Sequence, residues 1–118
     1  MRNDEVSAVA KMYDFTLWLL PHLAKFPREH RFTLGDRLEL GALEILELLV
    51  EASYSRNKLD MLRAANTKLE KLRYLIRLAK DLKLMSITQY EFASRAMLNI
   101  GNEIGGWARQ QGARVETA

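Results

Sequence analysis

Apolar residues recur along this chain at steps of three and four, never in the strict alternation of a half-buried strand. The clearest run is Leu59–Met85, where Leu62, Leu69 and Ile76 repeat every seven residues and Ala65, Leu72 and Ala79 follow each by three. It contains no Gly or Pro and is built of strong helix formers. It therefore predicts a helix ~40 Å long whose seam faces other helices. Upstream, Val6, Val9, Tyr13, Leu17, Leu20 and Ala24 predict a first helix from Asn3 to Ala24. Pro21 lies inside it and removes one backbone donor, which predicts a kink at the last turn. Phe26-Pro27 ends it.

Arg28 to Phe32 reads as a short basic loop. Thr33, with Asp36 three residues later, reads as a capping-box variant opening a second helix from Leu34 to Ser53. Its inner face carries Leu38, Ala42, Ile45, Leu49 and Ala52, and a second row of Leu43, Leu46 and Val50 lies just round the cylinder. Together they make an apolar arc wider than the ~100° that one core contact uses. After a break at Ser53–Asn57 comes the long third helix. Ser86 and Gln89 form a second capping box, and Tyr90, Ala93, Met97, Ile100, Ile104 and Trp107 mark a fourth helix that fades after Arg109. Four helices with short connections predict an all-α fold, an antiparallel up-down-up-down four-helix bundle. The bundle domain spans residues 1–110, with residues 111–118 expected as a disordered tail.

Composition narrows the possible chemistry. A chain of 118 residues, 48% hydrophobic and 28% charged, is one domain with a real core. No apolar run reaches the ~18 residues of a membrane span, since Pro21 stops Trp18-Leu19-Leu20, and the N-terminus lacks the apolar core of a secretory signal. There are no cysteines, which excludes disulfides, cysteine-ligated zinc and thiol catalysis. A cytoplasmic protein without membrane contact is expected. His22 and His30 belong to no E-x-x-H or H-E-x-x-H pattern and read as loop and surface residues. Glu44, Glu47 and Glu51 share one helix without a histidine partner and read as a solvated or salt-bridged face. No phosphate-cradling glycine loop occurs. No enzyme, metal or cofactor is expected.

Charge is unevenly placed. The net charge is only +3, yet Arg63, Lys68, Lys71, Arg73, Arg77, Lys80 and Lys83 crowd the third helix against Asp60, Glu70 and Asp81. Arg73, Arg77 and Lys80 step by four and three, so they form one row. That row is either a solvated face paired with the acidic second helix, or a phosphate-tracking stripe helped by Lys25, Arg28 and Arg31 at a bundle end. No base-reading motif accompanies it, so nucleic acid would be followed through backbone and shape. In the fourth helix Gly101, Gly105, Ala108 and Gly112 form a ridge without bulk. Gly101, Gly105 and Gly106 cost about 2–3 kcal/mol relative to Ala, which suggests close approach by another helix of the same subunit or a neighbour, fraying at the helix end being the alternative. With the wide arc of the second helix this points to an oligomer. The candidate interface residues are Leu43, Leu46, Val50, Gly101, Gly105 and Trp107.

Three stretches carry a resemblance: FPREHRFTLGDRLE (Phe26–Glu39), LEKLRYLIRLAKDLKLMSITQYE (Leu69–Glu91) and IGNEIGGWAR (Ile100–Arg109). Together, in this order and over nearly the whole chain, they resemble the accessory variability protein (Avd) family of diversity-generating retroelements of bacteria and their phages. The resemblance implies a four-helix bundle that assembles as a ring-like, barrel-shaped homopentamer. It implies binding to the element's reverse transcriptase and template RNA, in the complex that makes error-prone cDNA, with no chemistry by the accessory protein itself. The tail QQGARVETA departs from this, having only Arg114 where a strongly basic tail would support nucleic-acid contact. A sibling family, bundle proteins encoded in intervening sequences of large-subunit ribosomal RNA genes, has a similar L-G-D segment, matched by Leu34, Gly35 and Asp36. FPREHRF before that segment and GGW in the fourth helix favour the retroelement family. A structural oligomer without nucleic acid is the third reading, and steep salt dependence of RNA binding would distinguish it.

Overall fold

The computed structural model describes residues 3–117, with side chains described for residues 7–112. Five α-helices follow in order: α1 (Asn3–Leu23), α2 (Arg28–His30), α3 (Asp36–Tyr54), α4 (Lys58–Asp81) and α5 (Ile87–Thr117), with a π-helical turn at Arg31–Gly35 leading into α3. No strand occurs among the described residues. The four long helices pack as a square: α1 against α3, α3 against α4, α4 against α5 and α5 against α1. Neighbours run antiparallel. Lys11 meets Glu103 while Trp18 meets Phe92, and Gly41 lies against Leu72 while Glu44 meets Lys68. At 31 residues, α5 extends ~46 Å and outruns its neighbours, which accounts for a molecule measuring 52 × 23 × 20 Å. No described helix is long and apolar enough to cross a membrane.

The heptad seam of the long helix is the core. Leu62, Ala65, Leu69, Leu72, Ile76 and Ala79 are all buried, as are Leu38, Ala42, Ile45, Leu49 and Ala52 opposite them. Ala93, Met97, Ile100, Ile104 and Trp107 complete the α5 side. Alanines set among leucines and isoleucines let facing layers interdigitate, and each fully buried Leu or Ile contributes about 1.5–3 kcal/mol.

Helix α1 buries a different stripe from the predicted one. Ala8, Met12, Phe15, Leu19 and Leu23 face the core, whereas Tyr13, Leu17 and Ala24 of the expected stripe are exposed and Val9 and Leu20 are half-buried; the side chain of Val6 lies outside the described residues. The physical reason is that α1 is apolar on two neighbouring stripes, and spacing alone cannot choose between them. The stripe carrying Met12, Phe15 and Leu19 supplies the bulk the core needs. His22 also differs from expectation. It is half-buried within α1, its Nδ1–H donating to the Trp18 carbonyl (2.7 Å) and its ring 4.3 Å from the Trp18 ring.

The connections hold three further differences. The predicted basic loop is already helical from Arg28. Pro27 starts it, its carbonyl accepting from the backbone N–H groups of His30 and Arg31 at 2.9 Å. Thr33 therefore has no free helix start to cap, and its hydroxyl donates back to the Glu29 and His30 carbonyls at 3.4 Å. Gly35 is buried over Phe26, where a Cβ would meet His30 O at 3.4 Å and the Phe26 ring at 3.7 Å. Both are ordinary van der Waals distances, so the turn closes on that ring with room for a Cβ. Helix α4 stops at Asp81, short of Met85, because Lys83 adopts a left-handed conformation (φ 63°). Leu84 N–H then bonds Ala79 O and Lys83 N–H bonds Lys80 O, both at 2.9 Å, a Schellman ending on a lysine instead of a glycine. The predicted Ser86/Gln89 box is present in both directions, at 2.9 and 3.0 Å. Helix α5 continues through Thr117, into the segment from residue 111 that composition assigned to a disordered tail.

Candidate nucleic-acid interface

The topology brings two connections to one end of the bundle, the α1–α3 turn and the α4–α5 turn. Lys25, Arg28 and Arg31 on the first therefore share that end with Lys80 and Lys83 of the second. Arg31 Nε donates to Phe26 O (3.3 Å), and its guanidinium sits 5.8 Å from the Phe32 ring centre. From this end Arg73 and Arg77 continue down the groove between α4 and α5, where they line one cavity with Glu70, Tyr74 and Tyr90. The Lys80 ammonium lies 4.8 Å from the Tyr90 ring centre, joining end and groove.

The row is partly neutralised by its own helix. Arg73 pairs with Glu70 at 2.8 Å, Lys80 with Asp81 at 2.9 Å and Arg77 with Asp81 at 3.9 Å. The hydrogen bond from Lys80 is the main reason the Asp81 carboxyl is held below its ordinary pKa; slight burial opposes it, and the charges of Lys80 and Arg77 add to it. These acids differ from the expected partners on the second helix. Of the row's neighbours only Lys68 reaches across, to Glu44 of α3 at 3.0 Å, while Glu47 and Glu51 are exposed.

Not all candidates fall together. Lys68 and Lys71 line a different groove, between α3 and α4, a cavity of ≈ 240 Å³ with Arg37, Leu40, Gly41 and Leu75 among its walls. Arg63, near the start of α4, is exposed and lies away from both sets. Sequence reading missed the aromatic component, Tyr74 and Tyr90. Its signal was available, because Tyr74 sits between Arg73 and Arg77 on the exposed arc of a basic helix.

Part of the exposed apolar surface lies on the opposite side, large apolar side chains being exposed also at Leu40, Leu78, Leu82, Ile87, Phe92 and Leu98. On α3, Gly41 and Glu44 mark the flank facing α4, so Leu43, Leu46 and Val50 lie on the flank facing α1. On α1, Lys11 and Trp18 mark the flank facing α5, so Val9, Tyr13 and Leu20 lie on the flank facing α3. The α1/α3 face thus presents Tyr13, Leu17 (64% exposed), Val50 (41%) and Tyr54 (89%) around half-buried Leu43 and Leu46. Trp107 is no part of any such face. It is 0% exposed, since its spacing from Ile100 and Ile104 turns it into the chain's own core. Gly101 meets Leu69 Cδ2 at an ordinary 3.6 Å from its ideal Cβ position, Gly105 would meet only the guanidinium of Arg109 (3.4 Å), and Gly112 nothing. Among the described residues, no helix of the same chain uses the missing bulk at Gly105 or Gly112.

Across α1 and α5, Lys11 bonds Glu103 at 2.8 Å, and chiefly this bond lowers the Glu103 pKa. Among the described residues no group of His, Asp and Glu side chains could hold a metal ion. No curated protein matches the chain. The sequence profile of the bAvd-like family matches residues 7–111, as the resemblance implied, and the chain belongs to that family.

Proposed function

We propose that this Avd-type protein is a non-catalytic accessory subunit that binds the reverse transcriptase of its retroelement together with template RNA or cDNA. It supports mutagenic cDNA synthesis in the cytoplasm as a ring-like homo-oligomer, a pentamer by the family resemblance. One observation carries the reading. The α4/α5 groove with Arg73 and Arg77 and an uncovered apolar α1/α3 face lie on opposite sides of the square. Self-association through the apolar side leaves the cationic side free. A cationic groove repeated round a ring sums to a strong positive field even though each chain carries only +3. Binding here would follow phosphates, because no helix offers a base-reading array for a groove of duplex nucleic acid.

The test is mild affinity purification from the native host, with protein and RNA in the eluate identified. Co-elution of a reverse transcriptase and one discrete non-coding RNA supports the proposal. Ribosomal RNA with ribosomal proteins points instead to the ribosomal intervening-sequence role. Neither partner leaves a self-associating bundle and removes the proposal.

A further inference from the structure

A shallow, open recess of ≈ 200 Å³ lies in the α4/α5 groove between Glu70, Arg73, Tyr74, Arg77 and Tyr90. A salt-bridged, solvated helix face has no need of two phenol rings among its guanidinium groups. Tyr74 is 69% exposed, and its ring has neither an aromatic nor a cationic partner among the described residues. Tyr90 is half-buried, with Lys80 at its ring. The recess is smaller than the ~300–1,000 Å³ that whole small molecules occupy, yet it opens along a groove. It is suited to one planar ring attached to a longer chain. Beyond it the α5 wall drops in height at Gly101 and Gly105, and Arg109 lies across Gly105.

We propose that this recess receives an unpaired nucleobase of a single-stranded nucleic acid, stacked on Tyr74, with the adjoining phosphates on Arg73 and Arg77. The inference rests on the nucleic-acid reading above and narrows it to single strands. A base inside a duplex already has both faces stacked and has none left for a side-chain ring, whereas a splayed base does. Aromatic platforms within a cationic groove are how single strands are held without sequence preference. Glu70 positions the Arg73 guanidinium at 2.8 Å, so that it edges the recess rather than covering Tyr74.

The experiment measures affinity of the full-length chain for two fluorescent probes. One is an unstructured single-stranded RNA of about 12 nucleotides, within the ~4–16 that one single-strand site spans. The other is a blunt RNA duplex carrying the same number of phosphates. Tyr74→Ala should weaken single-strand binding on the order of ten- to a hundredfold and leave duplex binding within about twofold. Tyr74→Phe, which keeps the ring, should bind single strands like the parent. Arg73→Glu with Arg77→Glu should weaken both probes. If Tyr74→Ala binds single strands like the parent while the charge reversal weakens them, the stacking site is wrong and the nucleic-acid surface stands. Equal losses on both probes also overturn the stacking site. If the charge reversal changes neither probe, the nucleic-acid reading itself fails. Helix content by circular dichroism checks folding, and Tyr74 is exposed enough for its truncation to be tolerated.

Discussion

Reversing Arg73, Arg77 and Lys80 to Glu isolates the groove from the fold. The three ion pairs removed, to Glu70 and Asp81, are largely exposed, and such pairs contribute about 0–1 kcal/mol each. New carboxylates beside Glu70 and Asp81 add like-charge contacts of ~0.2–0.5 kcal/mol. The bundle should lose ~1–3 kcal/mol in all, against the ~5–15 kcal/mol typical of a domain, and stay folded. Each phosphate contact to a single strand contributes ~0.7 to the log–log salt slope, so three contacts give about 2 units. Between 50 and 200 mM salt that corresponds to roughly a 20-fold fall in the affinity of the parent protein that the variant no longer shows. The assay is fluorescence anisotropy of a labelled single-stranded RNA across a salt series, with circular dichroism as the folding control. A folded variant whose slope changes by less than ~0.7, under one contact, would refute the groove as a phosphate track.

Other expectations follow from neighbouring residues. Asp81→Asn frees Arg77 and Lys80 from the carboxylate they share and should raise RNA affinity several-fold in the same assay; an unchanged or lower affinity would mean those cations do not touch RNA. Leu17→Asp or Val50→Asp places a charge on the uncovered α1/α3 face and should lower the assembly mass by light scattering while helix content holds; parent-like mass would move the interface elsewhere. Lys83→Gly relieves a left-handed lysine. The strain released, ~1–2 kcal/mol, exceeds the ~0.5–1 kcal/mol entropic cost of Gly, so thermal melting should rise by a few degrees. A lower Tm would contradict the Schellman ending.

How much of this was legible in the sequence depended on how many solutions each segment allowed. The α4 seam was legible because its six residues keep a strict heptad spacing with charged residues between them, and all six are buried. The Ser86/Gln89 box was legible because it is local: two side chains meet two backbone donors three residues apart. Helix α1 allowed two answers. Its phase was settled by which stripe packs against α3 and α5, and the rejected stripe became the exposed face that carries Tyr13 and Leu17. The Thr33 box failed because a π-helical turn already engages the chain upstream. The end of α4 was missed because no glycine marks it.

The candidate site followed the same logic. Spacing alone placed Arg73, Arg77 and Lys80 in one row; Arg73 and Arg77 line the groove, and Lys80 sits at the Tyr90 ring beside it. Separation of Lys68 and Lys71 from that row required knowing which flank of α4 meets α3 and which meets α5. The local acids that partner the row were visible at spacings of three and four, whereas charge totals pointed to the acidic helix instead.

The measurement closest to the central claim is native mass spectrometry of the purified chain mixed with its element's reverse transcriptase and template RNA. One particle containing enzyme, RNA and several copies of this chain is expected. RNA should be lost from that particle when Arg73, Arg77 and Lys80 are reversed, while the copies stay together. Enzyme and RNA that migrate without this chain, at concentrations where it is folded and self-associated, would contradict the claim.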